Sequence, residues 1–119
     1  GISQFDEKIK SLYEKYFQIL LDYKVDGLVL SNTFPVEDSI LEAGKGGLSG
    51  KPLYRNTMDL VSFASEFFNG ALDIVASGGI STSEEVKELM LAGAKGIQLW
   101  TSLIYEGPNL IKKINKELL

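Results

Sequence analysis

Along residues 1–24, Phe5, Ile9, Leu12, Tyr13, Tyr16, Phe17 and Leu20 recur at helical spacing on one face. Ser3 with Asp6 fits a capping box ahead of that stripe, and the helix is expected to end near Asp22, Tyr23 and Lys24. Residues 25–30 are a short apolar run, read as a buried strand. Residues 32–56 carry no period; with Pro35, Pro52 and a glycine-rich centre they read as a long irregular loop, and a loop of that length in a compact domain is usually functional or disordered. Thr57 is positioned to cap a second helix with Leu60, Val61, Ala64, Phe67 and Phe68 inside, stopped by Asn69 and Gly70.

A second apolar strand is expected over residues 72–77. Thr82 and Glu85 then make a capping box for a helix carrying Val86, Leu89 and Met90, with Gly93 just past its end. Residues 96–100 read as a third strand. Gly107 and Pro108 open a last helix whose stripe is Leu110, Ile111, Ile114 and Leu118. The order α-β-α-β-α-β-α, in strands without polar alternation, predicts a parallel sheet buried on both faces.

Two architectures satisfy that pattern: an open doubly wound sheet, or an arc of a (β/α)8 barrel. At 119 residues the chain is shorter than a complete barrel of about 250. Three strands also fall below a typical sheet of about five to six, which suggests part of a fold.

Composition narrows the chemistry. The chain is 45% apolar and 24% charged with a net charge of −4, its Lys and Arg dispersed among acids, which argues against nucleic acid as a partner. It has no cysteine and no histidine, so disulfides, thiolate nucleophiles, the usual zinc sites and imidazole catalysis are excluded. No run approaches the roughly 20 apolar residues that cross a bilayer.

The polar residues gather at the ends of the expected strands. Ser77, Gly78 and Gly79 precede a capped helix, where free backbone N–H groups and the helix dipole suit a phosphate; a tight turn that needs small residues for packing would look the same. Leu99, Trp100, Thr101 and Ser102 close the next strand with a hydroxyl pair, and Thr101 could equally be a plain N-cap. In (β/α)8 barrels the loops after strands seven and eight jointly form a phosphate site. Ser31, Asn32 and Thr33 end the first strand, and an Asn there can read an amide edge or simply close an Asx turn. In residues 46–53, GGLSGKPL, the glycines permit close backbone approach, while Leu48 and Leu53 each call for an apolar anchor. Trp100, Phe67 and Phe68 read more readily as core than as cofactor contacts.

Taken together, VDGLVLSNT, GGLSGKPL, IVASGGISTSEE, LMLAGAKGIQLWTSLIYEGP and IKKINKEL resemble the C-terminal half of the dihydroorotate dehydrogenase family. GGLSGKPL with LIYEGP is most similar to its class 2, quinone-dependent branch. The resemblance implies that residues 1–119 are the C-terminal portion of a single FMN-binding (β/α)8 barrel, strands six to eight with flanking helices, in the α/β class. It also implies FMN contacts at Ser31, Ser49, Gly50, Ser77, Gly78, Gly79, Leu99, Trp100 and Thr101, and substrate contacts at Asn32 and Thr33.

Against the family pattern, Ser77 stands where Val is common, Trp100 where Tyr is usual, and Phe34 where Thr is frequent. The implied reaction oxidises dihydroorotate to orotate through FMN, with a quinone as acceptor, in pyrimidine biosynthesis. The family's catalytic Ser loop, its strand-five Lys and the N-terminal helices that meet quinone and membrane have no counterpart in these residues. The rest of the same barrel is thus an expected partner, and the segment alone is expected to be inactive. The implied location is at a membrane through that N-terminal region: the mitochondrial inner membrane in a eukaryote, the cytoplasmic membrane in a bacterium. Another flavin-barrel reductase, or a non-catalytic phosphate-binding half-barrel, are the alternative readings.

Overall fold

The computed structural model describes residues 6–37 and 39–119. Helix α1, Glu7–Asp22, starts behind Asp6, whose carboxylate accepts the Ile9 N–H at 2.9 Å. Asp6 is therefore itself the N-cap, and the expected contributions of Ser3 and Phe5 lie outside the described residues. Helix α2, Tyr54–Phe68, packs against α1 through an aromatic cluster. Phe17, 2% exposed, sits 5.9, 5.5 and 4.7 Å (ring centroids) from Phe63, Phe67 and Phe68. Leu12 and Tyr16, expected on the same buried stripe, are half-exposed instead. An apolar stripe wider than one neighbour can cover leaves its margin in solvent.

Strands β1 (Gly27–Leu30), β4 (Asp73–Ser77) and β5 (Gly96–Gln98) form a parallel sheet in the order β1-β4-β5. Leu28 pairs with Ile74, Leu30 with Ala76 and Ala76 with Ile97, so these residues share a face. That face packs on a single core with Phe17, Leu60, Val61, Ala64, Phe68, Val86 and Leu89. On the opposite face lie Val29, Val75 and Gly96, and Val29 is 50% exposed. This corrects the expectation of strands buried on both faces. Strands that follow one another in sequence across the sheet, joined by crossovers of one hand, collect their helices on one side. A doubly wound sheet would reverse its order and place helices on both sides. The observed order is that of a barrel arc, with its second face open to solvent at Val29.

The long loop expected after β1 is largely ordered. Strands β2 (Phe34–Glu37) and β3 (Lys45–Leu48) pair antiparallel, with Phe34 opposite Leu48 and Glu37 opposite Lys45. A one-turn 3-10 helix, Lys51–Leu53, leads directly into α2, which starts three residues before Thr57. Thr57 is therefore not its cap but a fully buried residue of the helix interior. Leu53 is anchored in the core at 4% exposure, whereas Leu48 is 38% exposed and lacks the anchor expected for it.

The remaining stops and starts follow local chemistry. α2 ends at Asn69, in the left-handed region at φ 46°, followed by Gly70 at φ 85°. Helix α3, Ser83–Leu91, begins with the expected capping box: Thr82 Oγ1 accepts the Glu85 N–H at 3.2 Å, and Glu85 Oε1 accepts the Thr82 N–H at 3.0 Å. β5 (Gly96–Gln98) ends two residues short of the expected strand, and a six-residue helix, α4 (Thr101–Glu106), begins at Thr101. α5, Asn109–Leu118, follows Pro108 and docks through Leu110 and Ile114, while Ile111 stays 45% exposed.

Candidate functional site

An open cleft of about 670 Å³ lies at the C-terminal ends of the parallel strands. That size falls within the range of small-molecule sites, roughly 300–1,000 Å³. Its lining includes Ser31, Asn32 and Thr33; Ser49 and Gly50; Ser77, Gly78 and Gly79; and Leu99, Trp100, Thr101 and Ser102, whereas Gly46, Gly47 and Leu48 of the glycine-rich segment lie outside it. The sheet accounts for this convergence. Parallel strands end on one side, so loops far apart in sequence share one rim.

The tips of β1 and β4 are joined at one atom. The Ser77 carbonyl accepts the Ser31 N–H at 2.7 Å, and the Thr57 hydroxyl also donates to it at 3.3 Å. Beyond it Gly78 and Gly79 turn with φ of 122° and 75°, a region that disfavours side chains. A Cβ on Gly78 would lie 2.7 Å from Thr57 Oγ1, and one on Gly79 would overlap the Tyr54 backbone. The packing alternative for these glycines is therefore met: their bare sides face α2. Tight packing there and a ligand on the cleft side are compatible.

At the other lip, Thr101 Oγ1 donates to Ser49 Oγ at 3.1 Å, tying the segment after β3 to the start of α4. A Cβ on Gly50 would meet Thr101 Cγ2 at 3.1 Å, so the strand-to-helix turn at Gly50 fits closely against it. Trp100, expected in the core, is instead 78% exposed on the rim. Phe67 and Phe68 do belong to the core. Asn32 accepts the Thr33 N–H on its side-chain oxygen at 2.8 Å, a local bond that leaves its amide N–H groups as donors.

Two supporting residues, Thr57 and Tyr54, lie outside the expected site, and Ser102, expected as half of the hydroxyl pair, has an unusual environment. Ser102 Oγ is buried and has no hydrogen-bond partner among the described residues, although it belongs to the lining. Buried polar atoms are almost always paired, so this one marks room for an acceptor. Thr57, expected as a helix cap, instead donates its hydroxyl to the Ser77 carbonyl. Tyr54 carries no local sequence signal: its hydroxyl bonds the Glu88 carboxylate, and burial first, then that carboxylate, pushes its pKa well above the ordinary 10.0.

Residues 11–119 match the family model described as dihydroorotate dehydrogenase. A dihydroorotate dehydrogenase (quinone) from Christiangramia forsetii is 39% identical over 117 residues, covering 96% of this chain and 33% of the relative. One from Coxiella burnetii is 40% identical over 100 residues, covering 81% and 29%. The ligand-free dihydroorotate dehydrogenase structure from Eimeria tenella superposes with a TM-score of 0.82 at 32% identity, covering 98% of this chain and 33% of that one. Its complex with ferulenol gives the same TM-score and identity. The chain spans about a third of the length of the curated relatives it matches.

Proposed function

Because this chain belongs to the dihydroorotate dehydrogenase family, as a segment of its (β/α)8 barrel, we propose that it builds the FMN-phosphate side and part of the substrate side of a quinone-dependent dihydroorotate dehydrogenase. One observation carries the reading: loops after three successive parallel strands meet in a single cleft, with a glycine turn on one wall and hydroxyls on the other.

The residues present suit the flavin nucleotide. The turn at Gly78 and Gly79 and the segment Leu99, Trp100 and Thr101 would hold the phosphate, with the unpartnered Ser102 hydroxyl available as a further donor. Ser31, Ser49, Gly50 and Ser77 would line the remainder of the cofactor. When bound, FMN supplies the two-electron redox chemistry, and the protein supplies orientation and electrostatics. Asn32 and Thr33 would orient dihydroorotate, because a donor amide and a hydroxyl at a strand tip can fix an oxygen-rich ring within about 3–3.5 Å of its reaction partner. The proton-abstracting Ser is assigned to a part of the barrel outside these residues, and the quinone route and membrane association to the family's N-terminal helices; no helix among the described residues is long and apolar enough to cross a membrane.

The test is Asn32→Ala in the full-length protein. Flavin content should stay near wild type, while kcat/KM for dihydroorotate with a quinone acceptor falls roughly 10- to 100-fold, the loss of one or two hydrogen bonds to a charged substrate. Loss of flavin with turnover per bound flavin intact would contradict the role given to Asn32. A full-length protein that takes up no flavin would remove the reading altogether.

A further inference from the structure

We propose that Thr57 is a positioning residue for the cofactor side of this cleft, acting through the Ser77 carbonyl on the Gly78–Gly79 turn; the inference rests on the FMN reading above. Thr57 is fully buried in α2, on the helix face otherwise lined by Leu60, Val61, Ala64 and Phe68. A hydroxyl in such a stripe is costly unless it is bonded, and valine has nearly the same shape without that cost. A helical Thr commonly returns its hydroxyl to a carbonyl one turn earlier. This one reaches instead to Ser77, 20 residues away, at the last carbonyl of β4.

That carbonyl is a junction. It accepts Ser31 N–H from the tip of β1 and the Thr57 hydroxyl from α2, and the next residue is the first glycine of the turn. Gly78 rests directly on the hydroxyl: a Cβ there would lie 2.7 Å from Thr57 Oγ1 and 3.7 Å from Leu53 Cβ. One side chain outside the cleft lining thus sets both the carbonyl that precedes the turn and the surface on which the turn sits.

The arrangement separates positioning from stability. Without the Thr57 hydroxyl, Ser77 O keeps its bond from Ser31, so no buried acceptor is orphaned and the fold loses little. What is lost is the second constraint on the turn. Thr57→Ala removes the bond and leaves space; Thr57→Val places a methyl against Gly78; Thr57→Ser keeps the hydroxyl.

The experiment titrates FMN into the full-length apoprotein, follows flavin fluorescence, and records thermal unfolding of each apoprotein in parallel. Thr57→Ala and Thr57→Val should weaken FMN binding roughly three- to tenfold, the worth of one net hydrogen bond, and Thr57→Ser should restore wild-type affinity. Should the valine variant fail to fold, the alanine variant reads the same bond. Wild-type FMN affinity in folded Thr57→Ala overturns the assignment while the functional reading stands. So does a loss in Thr57→Ser as large as in Thr57→Ala, because that would track packing rather than the hydroxyl. A wild-type apoprotein that binds no FMN overturns both.

Discussion

Gly79→Ala, set against Gly70→Ala in the full-length protein, separates backbone conformation from packing at the turn. Both glycines hold nearly the same backbone angle, φ 75° and 85°. An alanine at either position bears the left-handed penalty of about 1–2 kcal/mol. Around Gly70 nothing lies within 4 Å of the added Cβ, so no further cost arises. At Gly79 the Cβ would overlap the Tyr54 amide nitrogen, sit 2.7 Å from Tyr54 Cα and 3.0 Å from the Gly50 carbonyl oxygen. Those neighbours are backbone atoms, at the start of α2 and just before the 3-10 helix that leads into it, and cannot rotate away. Overpacking of this kind costs about 1–3 kcal/mol, so Gly79→Ala should destabilise by about 2–5 kcal/mol in total. Urea unfolding followed by circular dichroism gives both values, and FMN titration gives the functional one. Gly79→Ala should exceed Gly70→Ala by about 1–3 kcal/mol and should alone weaken FMN binding. Equal destabilisation by the two variants, or undiminished FMN affinity in Gly79→Ala, refutes the packing account of the turn.

Other outcomes follow from the same contacts. Phe17→Ala removes the centre of the aromatic cluster and should cost about 3–5 kcal/mol in urea unfolding. Thr82→Ala breaks the capping box and should cost about 1 kcal/mol by the same measure, with Thr82→Ser near neutral. For Tyr54, the raised folded pKa means the folded state holds the phenolic proton more tightly than the unfolded state. Its stabilisation is complete below pH about 10 and is lost as pH rises through the folded pKa. Tyrosinate absorbance should show this phenol ionising above its ordinary value of 10.0, and Glu88→Gln should bring it part of the way back.

What the sequence disclosed follows the strength of local signals. Thr82 with Glu85, and Asn69 with Gly70, are short-range devices that work in isolation, so those boundaries were legible. The β2–β3 hairpin was not: Pro35 lies in one strand and Gly46 and Gly47 in the other, and both residue types argue against a strand on propensity. Its pairing is a tertiary choice that no window of residues contains. α4 is too short to show a period, and α2 starts at Tyr54 without a capping side chain, which moved its expected start to the nearest Thr. At the cleft, the lining residues were legible as polar groups at strand ends. Thr57 and Tyr54 were not, because their roles depend on where α2 packs, Thr57 against the end of β4 and Tyr54 against α3. The single-sided burial of the sheet was also hidden, since Val29 and Val75 read as core from composition alone.

The bond between Ser49 and Thr101 has a consequence for how this molecule yields under stress. It spans 52 positions of sequence through two short hydroxyls near solvent, whereas the far wall is pinned by Thr57 and Ser31 from below. Heat or denaturant should part that hydroxyl clasp first, leaving a half-open mouth over a rigid floor while the aromatic interior is still intact. Ligand release and the earliest step of unfolding would then share one hinge line.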